Sequence, residues 1–172
     1  MPTKKKRTAK IIDGKKIAQD IRTELAAEVQ ALAKKKTVPG LAVVLVGDNP
    51  ASEVYVRMKK KACEEIGVKS FSHELPKTCT EKRLLNLIDK LNKDTKVHGI
   101  LVQLPLPKQI DEMKVLNAID PAKDVDGFHP VSVGKMLNGE QAYLPCTPHG
   151  VQVMLMRSGY DPSGKHVVIV GR

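Results

Sequence analysis

The apolar positions along the chain change period several times. Ile17, Ile21, Leu25, Val29 and Leu32 recur every three or four residues, which predicts a helix. Asp13 can cap its start near Gly14, Lys34–Lys36 sit in its last turn, and Pro39-Gly40 ends it. Leu41–Val46 is a continuous apolar run closed by Gly47-Asp48-Asn49-Pro50, the signature of a strand covered on both faces and followed by a turn. A second helix is expected from Ser52, taken as its N-cap, to about Ile66, with Gly67 as C-cap. Residues 68–75 read as a second strand. Thr80 caps a third helix, with Leu84, Leu87, Ile88 and Leu91 on one face. Val97–Leu104 is a third apolar strand, and Pro105-Leu106-Pro107 cannot continue its ladder.

Shorter elements follow. Helices are expected over about 111–119 and 131–138, separated by a turn at Asp120-Pro121 and a polar loop, Lys123–His129. Thr147 then caps a helix over 148–158 whose first position is Pro148. His166–Val170 begins another strand. Strands that alternate with helices predict an α/β fold with a mainly parallel sheet in a three-layer domain. Ligands of such sheets collect at the carboxyl ends of the strands. That rule selects Gly47–Lys59, Gln103–Pro107 and Gly171–Arg172.

Composition narrows the class. The 172 residues are 41% hydrophobic and 28% charged, as in a globular protein and unlike collagen, low-complexity disorder or a disulfide miniprotein. No apolar run approaches the roughly 18 residues of a membrane span, and the N-terminus has no signal-peptide stretch. Three cysteines without zinc-finger spacing suit a reducing, cytoplasmic compartment and give no metal site. The net charge is +10, but Lys4, Lys5, Lys6, Arg7 and Lys10 lie in the first ten residues; subtracting those five leaves +5 for the remainder. Residues 1–10 read as a disordered basic arm. A basic nucleic-acid-binding module is the rival reading, and two Phe, three Tyr and no Trp give it little to stack on bases.

Four places can carry chemistry. Tyr55 and Lys59 are four apart, on one helical face that Met58, Ala62 and Ile66 flank, so that face is expected to point inward. An ammonium beside apolar groups loses solvation and becomes a usable base; alternatively Lys59 snorkels to solvent with Lys60 and Lys61. Gln103 ends a buried strand and needs a partner, either a ligand or a backbone group. Asp124-Val125-Asp126-Gly127 lacks the further ligands of a calcium loop; it can bind the amide-and-amine edge of a heterocycle or form an Asx-turn. Val167–Arg172 resembles the strand-then-glycine opening of a dinucleotide-binding unit.

Five segments in this order resemble the bifunctional methylenetetrahydrofolate dehydrogenase/methenyltetrahydrofolate cyclohydrolase family: VGDNPASEVYVRMKKKACEEIG (46–67), HGILVQLPLP (98–107), DPAKDVDGFHP (120–130), LPCTPHG (144–150) and VVIVGR (167–172). The resemblance implies a folate-binding catalytic domain over 11–147. Residues 148–172 would then be a linking helix and the first strand of a Rossmann-type NADP-binding domain. It implies that Lys59 is the catalytic lysine and that Tyr55 packs on the aminobenzoyl ring of the folate. Gln103 would hold the lysine, Asp126 would anchor the pterin, and Val102 and Leu104 would line the pocket. Gly171 and Arg172 would begin the NADP site, with Arg172 on the 2′-phosphate. The implied chemistry is oxidation of 5,10-methylenetetrahydrofolate by NADP, then hydrolysis of the methenyl cation to 10-formyltetrahydrofolate. A homodimer acting on a tetrahydrofolate derivative, with no nucleic-acid or membrane partner, is implied as well. Family members continue beyond the position of Arg172, so the chain is expected to be part of a longer protein and to lack dehydrogenase activity alone.

Overall fold

The computed structural model describes residues 10–170. The element order is α1 (Gly14–Lys34), β1 (Gly40–Val46), α2 (Pro50–Ile66), β2 (Lys69–Leu75), α3 (Glu81–Lys93), β3 (Gly99–Val102), α4 (Glu112–Ala118), α5 (Pro130–Leu137) and α6 (Cys146–Arg157). The three strands form one parallel sheet in the order β2-β1-β3. The chain moves from β1 out to β2 through α2, then back past β1 to β3 through α3. Crossovers of one hand in opposite directions put α2 and α3 on opposite faces of the sheet.

The side chains follow the two-residue period of the strands. Ala42, Val44 and Val46 of β1, with Ile100 and Val102 of β3, pack against Leu84, Ile88 and Leu91 of α3 and Val115 of α4. Val43, Leu45 and Leu101 point the other way, onto Val56 of α2. This alternation places the next odd position of the β3 chain, Gln103, towards α2. Its backbone N–H still donates to the Val44 carbonyl at 2.8 Å, so the ladder geometry extends one residue beyond β3.

Helix α1 forms where the period predicts it, but only Val29 of its stripe is buried, because α1 lies outside α2 rather than on the sheet. Three expectations are corrected. The cap of α2 is Asn49, not Ser52; Asn49 Oδ1 accepts from the N–H groups of Ala51 (3.0 Å) and Ser52 (3.1 Å). Pro50 explains the earlier start, since its missing N–H and fixed φ suit the first helical position. Helix α6 starts at Cys146 after Pro145, with no side-chain cap, so Thr147 lies inside it. Finally, 166–170 is neither helix nor strand, and Val167, Val168, Ile169 and Val170 are exposed. A strand needs a ladder partner, and none pairs with this stretch among the described residues. The basic arm falls in residues 1–9, outside those described, apart from Lys10.

Candidate functional site

The site forms where α2 passes the carboxyl end of β3. Ser52, Val56 and Cys63 are the buried positions of α2. Lys59 falls on the same stripe, between Val56 and Cys63, and is half-buried. The spacing 52, 56, 59, 63 is the helical repeat, so the lysine stem is drawn along the inward face. Its Nζ donates to Gln103 Oε1 at 3.1 Å. The other end of that amide, Nε2, donates to the Leu104 carbonyl at 2.8 Å, which fixes which end of the amide faces the lysine. The Ser52 hydroxyl donates to the same carbonyl at 3.4 Å and ties the first turn of α2 to this segment.

Tyr55 and Met58 do not face inward as expected. They are 58% and 62% exposed, because the buried stripe runs through 52, 56, 59 and 63. The Tyr55 ring is thus an open surface beside Lys59 rather than part of the core. Val102 is buried in the α3/α4 side of the core, on the sheet face opposite α2, so its backbone rather than its side chain is available to a ligand. Leu104 is half-buried and contributes the carbonyl already described.

The loop 123–129 supplies the third wall. Asp124 is 1% exposed and accepts from the N–H groups of Phe128 (3.3 Å) and His129 (2.9 Å) and from Ser132 Oγ (2.7 Å). It organises the loop and the start of α5. Asp126 is half-buried and close enough to Lys59 to feel its charge. Burial raises its carboxyl above its ordinary value, against the pull of the Lys59 cation and of the Cys146 thiol. The Asp124 charge adds to the upward push. Cys146 Sγ lies 3.6 Å from both Asp126 Oδ1 and the Val125 carbonyl. Burial, then the Asp126 charge and the hydrogen bond between them, raise that thiol, with the Lys59 cation opposing. Gly127 makes this approach possible: its φ is +67°, and a Cβ there would meet the Tyr143 carbonyl oxygen at 2.7 Å.

The structure therefore gathers Lys59, Gln103 and Asp126 in one place, with Tyr55 at its rim. Gly171 and Arg172 lie outside the described residues, and the stretch leading to them is exposed and unpaired. Ser52 and Cys146 belong to the site but were not singled out from the sequence. The helical stripe through Lys59 would have found Ser52; no spacing signals Cys146, twenty positions beyond Asp126. Among the described residues, no group of three or more His, Cys, Asp or Glu could hold a metal ion, and no helix is long and apolar enough to cross a membrane.

Comparison with known proteins gives this geometry a context. The family model for the tetrahydrofolate dehydrogenase/cyclohydrolase catalytic domain matches residues 12–126. The bifunctional protein FolD of Geotalea daltonii is 62% identical over 164 residues, covering 95% of this chain and 59% of that protein. FolD of Halalkalibacterium halodurans is 57% identical over 165 residues, covering 96% of this chain and again 59% of its own length. The crystal structure of Campylobacter jejuni FolD, a methylenetetrahydrofolate dehydrogenase/cyclohydrolase, superposes with a TM-score of 0.86 at 48% identity, over 88% of this chain and 54% of that one. The Trypanosoma brucei enzyme, solved with NADP cofactor and inhibitor, gives 0.84 at 39% identity, over 88% and 52% of the two chains. The chain thus spans somewhat over half the length of the relatives it matches. With two thirds of its length under the family model and close relatives along nearly all of it, the chain belongs to the tetrahydrofolate dehydrogenase/cyclohydrolase family.

Proposed function

We propose that this chain carries the folate site of a bifunctional enzyme of one-carbon metabolism. The enzyme oxidises 5,10-methylenetetrahydrofolate to the 5,10-methenyl cation with NADP, then hydrolyses that cation to 10-formyltetrahydrofolate. The observation that carries the reading is the Lys59–Gln103 hydrogen bond of 3.1 Å at the carboxyl end of the sheet, beside an aspartate raised by burial. The relatives named as bifunctional FolD support both activities, and the NADP complex of the Trypanosoma brucei protein supports the choice of cofactor.

The residues divide the work by their chemistry. The open ring of Tyr55 stacks on the aminobenzoyl group. Asp126, poorly hydrated in its position, accepts hydrogen bonds from the amide-and-amine edge of the pterin, which replace the water it has lost. Val102 and Leu104 offer backbone groups to the ligand on either side of Gln103. Lys59 directs the attacking water at the methenyl carbon or takes its proton. Gln103 accepts from the lysine Nζ and so steers the amine towards the reacting carbon. NADP supplies the hydride acceptor when bound, with Gly171 and Arg172 contributing to its phosphate contacts. The protein works in the cytoplasm as a homodimer, with the folate as its small-molecule partner and neither nucleic acid nor membrane.

Lys59→Met tests the assignment. Removing the amine while keeping the stem should lower methenyltetrahydrofolate hydrolysis on the order of a hundredfold or more, as expected for loss of a positioned base. The reaction is followed by the loss of methenyl absorbance, with and without NADP. Hydrolysis retained at the wild-type rate overturns the proposed role. Folate binding without hydrolysis in the wild-type protein would instead mark a binding fragment.

A further inference from the structure

The loop bearing Asp126 is held at two ends by different means. On its downstream side the buried Asp124 carboxylate gathers Phe128, His129 and Ser132. On its upstream side the anchor is a cation. Lys123 Nζ donates to three carbonyl oxygens, those of Leu91 (3.1 Å), Asn92 (2.7 Å) and Asp94 (2.9 Å). Leu91 and Asn92 belong to the last turn of α3, and Asp94 caps it. The Leu91 and Asp94 carbonyls also accept from the backbone N–H groups of Asp94 (3.3 Å) and Val97 (3.1 Å), and a cation suits the negative end of the helix dipole that these carbonyls form. An ammonium has three donors, and all three are used here.

The same end of α3 is fastened to the segment before the loop. Asn92 Nδ2 donates to the Ala118 carbonyl at 2.8 Å, and Asn92 Oδ1 accepts from Asp120 N–H at 3.0 Å. The Lys123 carbonyl accepts from Ile100 N–H at 2.8 Å, which places the loop beside β3. Three residues further on stands Asp126, with Val125 between them closing on Gly99. A Cβ on Gly99 would meet Val125 Cγ1 at 2.5 Å, so there is little slack in that packing. Lys123 and Asp126 are thus three residues apart on a segment packed tightly against β3 through Val125 and Gly99.

We propose that Lys123 is a positioning residue for the substrate-facing Asp126: by tying the end of α3 to the loop it sets where that carboxylate meets the folate. The proposal rests on the folate reading of Asp126. It predicts that Lys123 acts on substrate binding without touching substrate, and only through Asp126.

The test is a double-mutant cycle on the natural full-length protein, with methenyltetrahydrofolate hydrolysis as the readout. Lys123→Met should raise KM on the order of tenfold, the scale expected when a binding group shifts by a fraction of an ångström. Lys123→Arg keeps a cation at the helix end and should recover part of that loss. In an Asp126→Asn background, Lys123→Met should add little further, because the group it positions is already disabled. Full additivity of the two changes overturns the proposal. So does a Lys123→Met protein that melts earlier but keeps the wild-type KM. Should Lys123→Met fail to fold, the same cycle is run with Lys123→Arg, and additivity there counts equally against it. An Asp126→Asn protein with unchanged KM would instead sink the folate reading of Asp126, a result distinct from additivity.

Discussion

Lys59 and Gln103 are forty-four residues apart in sequence, yet the lysine Nζ donates to the glutamine Oε1 at 3.1 Å. The contact joins the two sequence positions with the clearest local anomalies. One is a cation on the inward stripe of an amphipathic helix; the other is a carboxamide at the end of an apolar strand. Each satisfies the other, and the second arm of the glutamine is spent on the Leu104 carbonyl.

Gln103→Leu keeps the side-chain bulk and removes both hydrogen bonds. The lysine is then free to swing towards solvent, and the loss should appear in the chemical step. Hydrolysis of methenyltetrahydrofolate should fall on the order of a hundredfold, within the range for a general base and its support. The cost to the fold should be only about 1 kcal/mol, the usual worth of a hydrogen bond outside a dry core. A kcat equal to wild type, measured by absorbance, would contradict the arrangement.

Asp126 makes a prediction about stability with a defined sign. Burial raises its folded pKa above the ordinary 3.8. A raised carboxyl binds its proton more tightly in the folded state than in the unfolded one. Its contribution is therefore fully present below the ordinary value and is lost as pH rises through the higher, folded value. At neutral pH the folded protein carries this poorly solvated charge. Asp126→Asn removes the charge and keeps most of the shape. It should melt at a higher temperature than wild type at pH 7, and the gap should close as the pH falls below the ordinary aspartate range. For a chain of this size each 1 kcal/mol corresponds to about 2–4 °C in Tm. Folate binding should weaken in the same variant, so stability and function move in opposite directions. Melting curves from pH 3 to 8 check this; equal Tm values across the range would refute it.

The alternation of strands and helices, the parallel sheet and most element boundaries were legible in the sequence because each rests on local period and local breakers. Leu41–Val46 and the Leu84, Ile88, Leu91 face are cases in point. What could not be read depends on which element covers which. The stripe of α1 has the period of a core helix, but α1 packs outside α2, so Leu25 and Leu32 remain exposed. The inward face of α2 was misjudged for the same reason: Met58 looked like core, but the covered stripe passes through Ser52, Val56 and Cys63. The apolar 167–170 run has strand composition, yet a strand exists only with a ladder partner. At the site, Lys59 and Gln103 stand out as polar residues in apolar settings, whereas the choice of Asp126 within the Asp124–Gly127 loop comes from the resemblance to the family. Lys123 could not be picked out, since a lysine in a polar loop looks like any solvated cation until the end of α3 is placed beneath it.

Cys146 offers a chemical check on how the site is assembled. The chain has three cysteines; Cys63 and Cys79 are buried, and Cys146 is exposed. A thiol reagent added to the native protein should therefore modify one sulfur in the folded state and the other two only after unfolding. The rate should carry the mark of the neighbours. The residue is exposed as a whole, but partial desolvation of its sulfur and the Asp126 charge raise the Cys146 thiol above its ordinary 9.0, so labelling should be slow at pH 7. It should accelerate as the pH climbs past that value, and should be faster at a given pH in Asp126→Asn, where one of the raising charges is gone. Because the sulfur sits 3.6 Å from Asp126 Oδ1, a bulky adduct there intrudes on the carboxylate assigned to the pterin. Labelled protein should lose folate binding, and bound folate should slow the labelling. Equal reactivity of all three thiols in the folded protein, or labelling that leaves folate affinity untouched, would separate Cys146 from the site.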